Sequence, residues 1–133
     1  MSQSAFLGYR YTIFANVPNT LTPYQRVYLA ATAGTPGELK PCSNSLRGVG
    51  TVPYGAPIAT TPIAVEIFDN TPGTRSGLFS GATAAASGAV LYAGNNGVVQ
   101  AAPDSGAGLM VAVAAEASTA AGAPIQFKEA SAV

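Results

Sequence analysis

Histidine and tryptophan are absent from this chain of 133 residues, and cysteine occurs once, at Cys42. Without histidine the sequence cannot form a Ser-His-Asp or Cys-His catalytic triad, nor any zinc site that contains histidine. A lone cysteine excludes an internal disulfide bond, and a free cysteine is more often a small buried apolar group than a reactive thiol. We therefore expect no cofactor and no metal, and we expect Cys42 to lie in the interior.

Carboxylates are few and dispersed, as Glu38, Glu66, Asp69, Asp104, Glu116 and Glu129. A glycosidase needs two carboxyl groups that flank one bond. Glu66 and Asp69 are expected on opposite faces of a regular strand. Glu116 and Glu129 either face each other across neighbouring strands or are ordinary surface charges. The residue inventory therefore favours a protein that is not an enzyme.

Charge of either sign is scarce: six basic and six acidic residues make up 9% of the chain, and the net charge is zero. Because no basic stripe exists to neutralise phosphates, nucleic acid is not expected as a direct partner. No segment approaches the roughly 18 consecutive apolar residues of a membrane-spanning helix. The N-terminus also lacks a charged start before an apolar run. We expect synthesis in the cytoplasm, no membrane partner, and partners recognised by shape and apolar contact.

Aromatic side chains are represented mainly by six tyrosines, at positions Tyr9, Tyr11, Tyr24, Tyr28, Tyr54 and Tyr92. Tyrosine rings can stack on sugars or on bases. Without tryptophan and without basic neighbours, positions in the core or in subunit contacts are favoured over that role.

The last third of the chain alternates short β-rich runs with clusters of Gly, Asn, Asp and Pro, which is typical of an antiparallel all-β domain. The predicted strands are residues 88–92, 98–101, 109–113 and 123–127. Asn96-Gly97 predicts a two-residue hairpin turn, because such a turn needs positive φ at both central positions. In the last strand Ile125 and Phe127 alternate with polar residues, which predicts that these two side chains face the core.

Further strands are predicted at residues 9–14, 26–31 and 63–69. In the first, Tyr9, Tyr11 and Ile13 fall on one face. In the second, Val27 and Leu29 fall on one side and Arg26 and Tyr28 on the other. Residues 33–57 are interrupted by Gly and Pro, so we expect one short strand near residues 47–52 or an extended excursion packed on a neighbouring subunit. Residues 75–81 are ambiguous, with another short strand possible at Leu78-Phe79.

Two alanine-rich runs, residues 81–87 and 112–121, leave one short helix open as an alternative, because alanine has a high helix propensity. The first run has no large apolar residue to pack, and the second continues a predicted strand. A chain of this length needs one domain and one core. The sequence thus predicts a flexible, extended N-terminal arm over residues 1–8 and a single domain over residues 9–133. That domain is expected to be all-β, a compact antiparallel β-sandwich or small barrel with long Gly/Pro-rich loops.

One order of residues resembles a known family. It consists of Ser-Gly-Ala-Val-Leu-Tyr (87–92), Asn-Gly-Val-Val (96–99), Leu-Met-Val-Ala-Val-Ala-Ala-Glu-Ala (109–117) and Gly-Ala-Pro-Ile-Gln-Phe (122–127). This order resembles the capsid cement, or head decoration, proteins of tailed bacteriophages, over about the last third of the chain.

The resemblance implies a structural virion protein on the capsid exterior. Such a protein forms a homotrimer and binds the major capsid protein, so that it holds adjacent capsid subunits together. The candidate contacts to the capsid or to a neighbouring subunit are Tyr9, Tyr11, Ile13 and Arg47.

A second hypothesis is a non-catalytic all-β binding or adhesion module of the carbohydrate-binding or pilin-like kind. Such modules are also rich in Ala, Gly, Ser and Thr. The missing signal peptide, the missing tryptophan and the unpaired Cys42 weigh against it. A small enzyme is the third and least favoured class.

Overall fold

The computed structural model describes residues 11–14, 20–32, 35–56, 62–68, 73–104 and 108–129. Within these ranges the chain forms two five-stranded antiparallel sheets and no α-helix, which confirms the all-β prediction. The strands are β1 (Tyr11–Phe14), β2 (Arg26–Thr32), β3 (Thr35–Pro41), β4 (Gly50–Thr51), β5 (Ile63–Ile67), β6 (Arg75–Leu78), β7 (Val90–Ala93), β8 (Val99–Gln100), β9 (Met110–Ala114) and β10 (Pro124–Glu129). The proposed arm at residues 1–8 lies outside the described residues.

The first sheet, called here the N-sheet, has the strand order β1-β5-β4-β2-β3. Strand β4 lies within the predicted short strand near residues 47–52, whereas β3 was not predicted. Its prolines, Pro36 and Pro41, argued against a strand. They are tolerated because β3 is an edge strand that pairs with β2 on one side, and proline lacks only the N–H group that a second partner would need.

The second sheet, called here the C-sheet, has the strand order β6-β10-β9-β7-β8. It curls so that its two edges meet. Phe79, which follows β6, forms a parallel bridge with Val99 of β8, and the Ser80 amide donates a hydrogen bond of 3.0 Å to the Val99 carbonyl. The C-sheet is therefore close to a small barrel.

The Asn96-Gly97 turn has the predicted backbone, with φ of 61° and 76°. It lies in a single 3-10 turn, Asn95–Gly97, inside a loop of residues 94–98, so the connection between β7 and β8 is longer than the predicted two residues. The longer loop reaches the N-sheet, where the Gly97 amide donates a 2.8 Å hydrogen bond to the Cys42 carbonyl.

Neither alanine-rich run is helical. Ala112 to Ala114 belong to β9, and residues 81–87 form bends and a single bridge at Ala85. Short alanine runs without large apolar residues have no amphipathic face to bury as helices, and a helix of this length is marginal unless such a face is packed. The open alternative of a short helix is therefore wrong.

Buried apolar side chains form two clusters, where a single core was expected. The N-sheet surrounds one, which includes Val27, Leu39 and Val65, and the C-sheet surrounds the other, which includes Ile125 and Phe127. The predicted alternation in β10 is confirmed, since both of these last side chains are buried and Lys128 is exposed. Each curled sheet covers most of its own apolar face, and the boundary between the sheets is mainly polar, apart from Phe68, which follows β5 and packs on the C-sheet cluster.

Candidate functional site

The boundary between the two sheets, called here the seam, is organised around Arg26. This side chain is fully buried and donates only to backbone carbonyls. Its guanidinium bonds Val98 (3.2 and 3.0 Å) and Gly94 (2.8 Å) in the C-sheet loop. On the N-sheet side it donates to Arg47 (3.2 Å) and Leu46. Burial lowers the pKa of Arg26, yet arginine stays protonated at neutral pH.

Further hydrogen bonds join the same loop to the N-sheet. The Gln25 amide donates to the Asn96 carbonyl at 2.7 Å, while its side-chain oxygen accepts from the Thr22 amide at 2.7 Å. The Asn44 backbone amide donates to the Asn95 side-chain oxygen at 3.1 Å, and the Asn44 side chain donates to the Asp104 carboxylate, which lies outside this loop, at 2.7 Å. The loop of residues 94–98 is thus held by side-chain donors that span the seam.

A cluster of four charged side chains forms a second part of the seam. Arg75 is fully buried, and its Nε lies 2.8 Å from Glu129 Oε2 and its Nη1 3.9 Å from Glu66 Oε2. Arg47 approaches Glu129 from the other side at 3.5 Å. Both guanidinium groups lie 5.9 Å from the centre of the Phe68 ring. Two cations and two carboxylates balance, so the cluster adds no net charge to the interior.

An open pocket of about 260 Å³ lies beside this charged cluster, with one wall from each sheet. The N-sheet side consists of Tyr24, Pro53, Tyr54 and Glu66, and the C-sheet side of Thr74, Arg75, Ser76 and Gln126. Tyr54 is 77% exposed. Gln126 and Ser76 are cross-strand neighbours on β10 and β6, and their side chains are joined by a 2.5 Å hydrogen bond.

Three of the four candidate contact residues lie within the described part of the chain, at two different places in the fold. Tyr11 and Ile13 lie on β1, the edge of the N-sheet, opposite Glu66 and Ala64 of β5. Arg47 bonds Glu129, and about a quarter of its side chain is exposed. Tyr9 lies outside the described residues. The contact roles of all four stay predictions.

The suggested pairing of Glu116 with Glu129 across neighbouring strands is wrong. Glu116 accepts a 3.3 Å hydrogen bond from the Gln126 amide, whereas Glu129 lies three residues further along β10 and pairs with Arg75. Asp69 lies outside the described residues, so its orientation relative to Glu66 stays a prediction. Among the described residues, no group of three or more His, Cys, Asp or Glu side chains is arranged to hold a metal ion.

Sequence reasoning missed Arg26, Arg75 and Glu129 as the residues that join the sheets. Arg26 was expected on the face opposite Val27, and that face is buried too because the C-sheet loop covers it. The signal that could have identified Arg26 is the small number of basic residues, six in the whole chain. An arginine that lies between apolar positions of a strand is a candidate for a buried side chain that donates to backbone carbonyls.

Cys42 is buried, as the sequence predicted, and it lies next to the seam. Burial raises the pKa of the Cys42 thiol to about 11, and the positive charge of Arg26 partly opposes that shift. A thiol that deprotonates less readily in the folded state stabilises that state below the unfolded pKa, and the contribution is lost as the pH rises through the folded pKa.

We expect the stability advantage of the native chain over the Cys42→Ala variant to fall between pH 9 and pH 11. The expected loss is about 2 to 3 kcal/mol, because each pKa unit corresponds to about 1.4 kcal/mol. Urea unfolding of both proteins across this pH range measures it. Tyrosine and lysine titrate in both proteins, so their effects cancel in the difference. Parallel stability curves would contradict a buried, protonated thiol.

Within the described residues no helix is long and apolar enough to cross a membrane.

The fold defines a class: an all-β protein made of two curled, five-stranded antiparallel sheets that meet at a mainly polar seam.

The chain is similar in fold to the head fiber gp8.5 N base of bacteriophage phi29, as seen in its crystal structure. The TM-score is 0.59 with 12% sequence identity, and the match covers 90% of this chain and 94% of that one. At this identity the likeness establishes the fold. No protein-family model matches the sequence, and no curated protein matches it significantly. The resemblance to cement proteins stays a prediction.

Proposed function

We propose that this chain is a structural protein attached to the head of a bacteriophage, without enzymatic activity. The observation that carries the proposal is the likeness to a head fiber base over nearly the full length of both chains. In more detail, we propose that it binds the major capsid protein on the capsid exterior as a homotrimer and cements adjacent subunits. It would be made in the host cytoplasm and would use no cofactor and no direct contact with nucleic acid.

The surface supports attachment by apolar contact. The net charge is zero, and large apolar side chains are exposed at Leu29, Leu46, Tyr54, Leu109 and Met110. Exposed ion pairs contribute only about 0 to 1 kcal/mol each and weaken in salt. Apolar burial contributes roughly 25 cal/mol per Å² and changes little in moderate salt. Attachment through this surface is therefore expected to be insensitive to salt.

The proposed contact region begins at β1. The edge strands of the N-sheet are β1 and β3, and within the described residues each of them pairs with one neighbouring strand. On β3 the prolines and the Glu38–Lys40 ion pair (3.8 Å) discourage a further strand. On β1, Tyr11 and Ile13 offer no such obstacle. We propose that this edge, with Tyr9 and the preceding arm, meets the capsid or a neighbouring subunit, and that the exposed quarter of the Arg47 side chain adds a secondary contact.

Attachment can be tested by co-sedimentation with empty phage heads that lack this protein. The intact chain is expected to bind equally at about 0.05 and about 0.5 M salt, where the Debye length falls from roughly 14 to roughly 4 Å. Deletion of residues 1–8 keeps β1 and is expected to weaken binding while leaving the urea midpoint unchanged. The Lys128→Ala variant, which alters an exposed residue of the C-sheet, is the control.

Three results would contradict the proposal. Absence of binding by the intact chain would refute attachment. Release by salt alone would indicate an electrostatic interface. Undiminished binding after the deletion would place the contact away from the arm. Electron micrographs of the decorated heads also test the homotrimer, because isolated single protomers on the shell would refute it.

A further inference from the structure

We propose that the open pocket on the seam binds a single neutral sugar ring. The proposal goes beyond attachment to a phage head and does not depend on it, because the pocket is built entirely within one chain. Its walls come from both sheets, so the site exists only when the two sheets are joined.

The first observation is the backbone of Tyr24. Its φ of 70° lies in the left-handed region, which bulky residues rarely adopt. Tyr24 is the third residue of a turn that the Gln25 amide closes on the Thr22 carbonyl at 3.2 Å, a position that takes positive φ after a proline. Two further hydrogen bonds fix it there. The Tyr24 amide donates to the Val52 carbonyl of the N-sheet at 2.7 Å, and the Tyr24 carbonyl accepts from the Leu78 amide of the C-sheet at 3.1 Å. Backbone conformations of this kind cluster at binding sites, where surrounding structure enforces them. Here the seam fixes a tyrosine at the pocket wall.

The second observation is the exposure of Tyr54. The residue is 77% exposed beside the pocket, the highest value among the exposed large hydrophobic residues of the described part of the chain. An aromatic ring carries a large apolar face and a hydroxyl group on one side chain. The C–H face of a sugar ring packs on such a surface, while the sugar hydroxyls remain free to meet polar groups.

The third observation is the set of polar groups around the pocket. The Gln126 amide and the Ser76 hydroxyl, already joined to each other, provide donors and acceptors on the C-sheet side. On the N-sheet side the Glu66 carboxylate is an acceptor, and its Oε2 lies 3.9 Å from Arg75 Nη1. A few placed polar groups beside an aromatic wall are typical of sites that orient a small polar ligand.

The charges select a neutral ligand. Glu66 repels phosphates and other anions, while the buried positive charge of Arg75 opposes a cation. Together with Arg47 and Glu129 they form the charged cluster that carries no net charge beside the pocket. The volume of about 260 Å³ is below the 300 to 1,000 Å³ of pockets that enclose drug-sized molecules, so one ring fits better than an extended chain.

The experiment is a titration of the isotope-labelled intact chain, followed by backbone amide NMR shifts. The probes are the methyl glycosides of glucose, galactose, mannose and N-acetylglucosamine. Inorganic phosphate and glucuronate serve as anionic comparisons. We expect at least one neutral glycoside to shift the amides of Tyr54, Ser76 and Gln126, with a dissociation constant on the order of 1 mM.

Three variants locate the site. Tyr54→Ala removes an exposed ring, so it should fold normally and weaken binding by about tenfold or more. Tyr54→Phe keeps the ring and should retain most of the affinity. Leu109→Ala, which removes an exposed apolar side chain outside the pocket, is the matched control and should bind as the native chain does.

Several outcomes would overturn the proposal. They are no shifts with any neutral glycoside, shifts confined to residues away from the pocket, undiminished binding by Tyr54→Ala, and tighter binding of phosphate or glucuronate. Pocket shifts that appear only when capsid protein is added would mean that the pocket receives a protein side chain instead. Because head attachment is measured separately by co-sedimentation, failure of either proposal is distinguishable from failure of the other.

Discussion

Replacement of Arg26 by methionine is expected to lower the free energy of unfolding by about 2 to 4 kcal/mol, because several carbonyls at the seam lose their hydrogen-bond donor together. Methionine matches the length of the arginine stem but donates no hydrogen bond. The carbonyls of Leu46, Arg47, Gly94 and Val98 would lose this donor at once. The Val98 carbonyl keeps the Gly94 amide as a donor at 2.9 Å, so the cost falls on the other carbonyls. A buried acceptor left unsatisfied costs about 1 to 3 kcal/mol, partly offset because a buried cation is also removed.

Urea unfolding monitored by circular dichroism measures this effect. Arg26→Lys keeps the charge but not the planar fork that reaches several carbonyls, so it should also be destabilised. Lys40→Met, at a more exposed position on β3, is the matched control and should change stability by less than about 0.5 kcal/mol. Equal stability of Arg26→Met and Lys40→Met would show that the seam does not depend on Arg26.

Phe127→Ala is expected to cost about 3 to 5 kcal/mol, because the ring is buried in the C-sheet cluster and its removal leaves a cavity. The ring fills space that β6 leaves open: a Cβ atom built at Gly77 would lie 2.5 Å from the Phe127 ring. It also packs against Phe68, with ring centres 6.4 Å apart at an angle of 59°.

The neighbouring residue supplies the control for Phe127. Lys128 is exposed on the opposite face of β10, so Lys128→Ala should change the unfolding free energy by less than about 0.5 kcal/mol. Equal effects of the two substitutions in urea would mean that the strand register is shifted by one residue, since such a shift exchanges the two faces.

Much of the fold was predictable where the pattern is local. The alternation in β10 and the positive φ at Asn96 and Gly97 follow from a few adjacent residues. Strand β3 was not predictable in this way, because its prolines are acceptable only at a sheet edge and sequence alone does not identify edges.

The candidate sites were less predictable because they depend on contacts between distant residues. Arg26 meets Gly94 and Val98, which lie some 70 positions away in the chain. Sequence reasoning favoured core or subunit contacts over sugar stacking for the tyrosines, and no local pattern indicates that Ser76 and Gln126 line the same pocket as Tyr54. A pocket assembled from both sheets appears only once their relative placement is known.

The separation of the two apolar clusters determines which surface becomes exposed when the native structure opens partially. All strands of the N-sheet come from residues 11–67, and all strands of the C-sheet from residues 75–129. A transient opening along the seam would therefore expose mainly carbonyls and charged side chains, together with the Phe68 ring and the part of the C-sheet cluster that it covers. Aggregation of partly unfolded proteins starts from exposed apolar surface and unpaired strand edges. Breathing between the halves thus exposes comparatively little apolar surface.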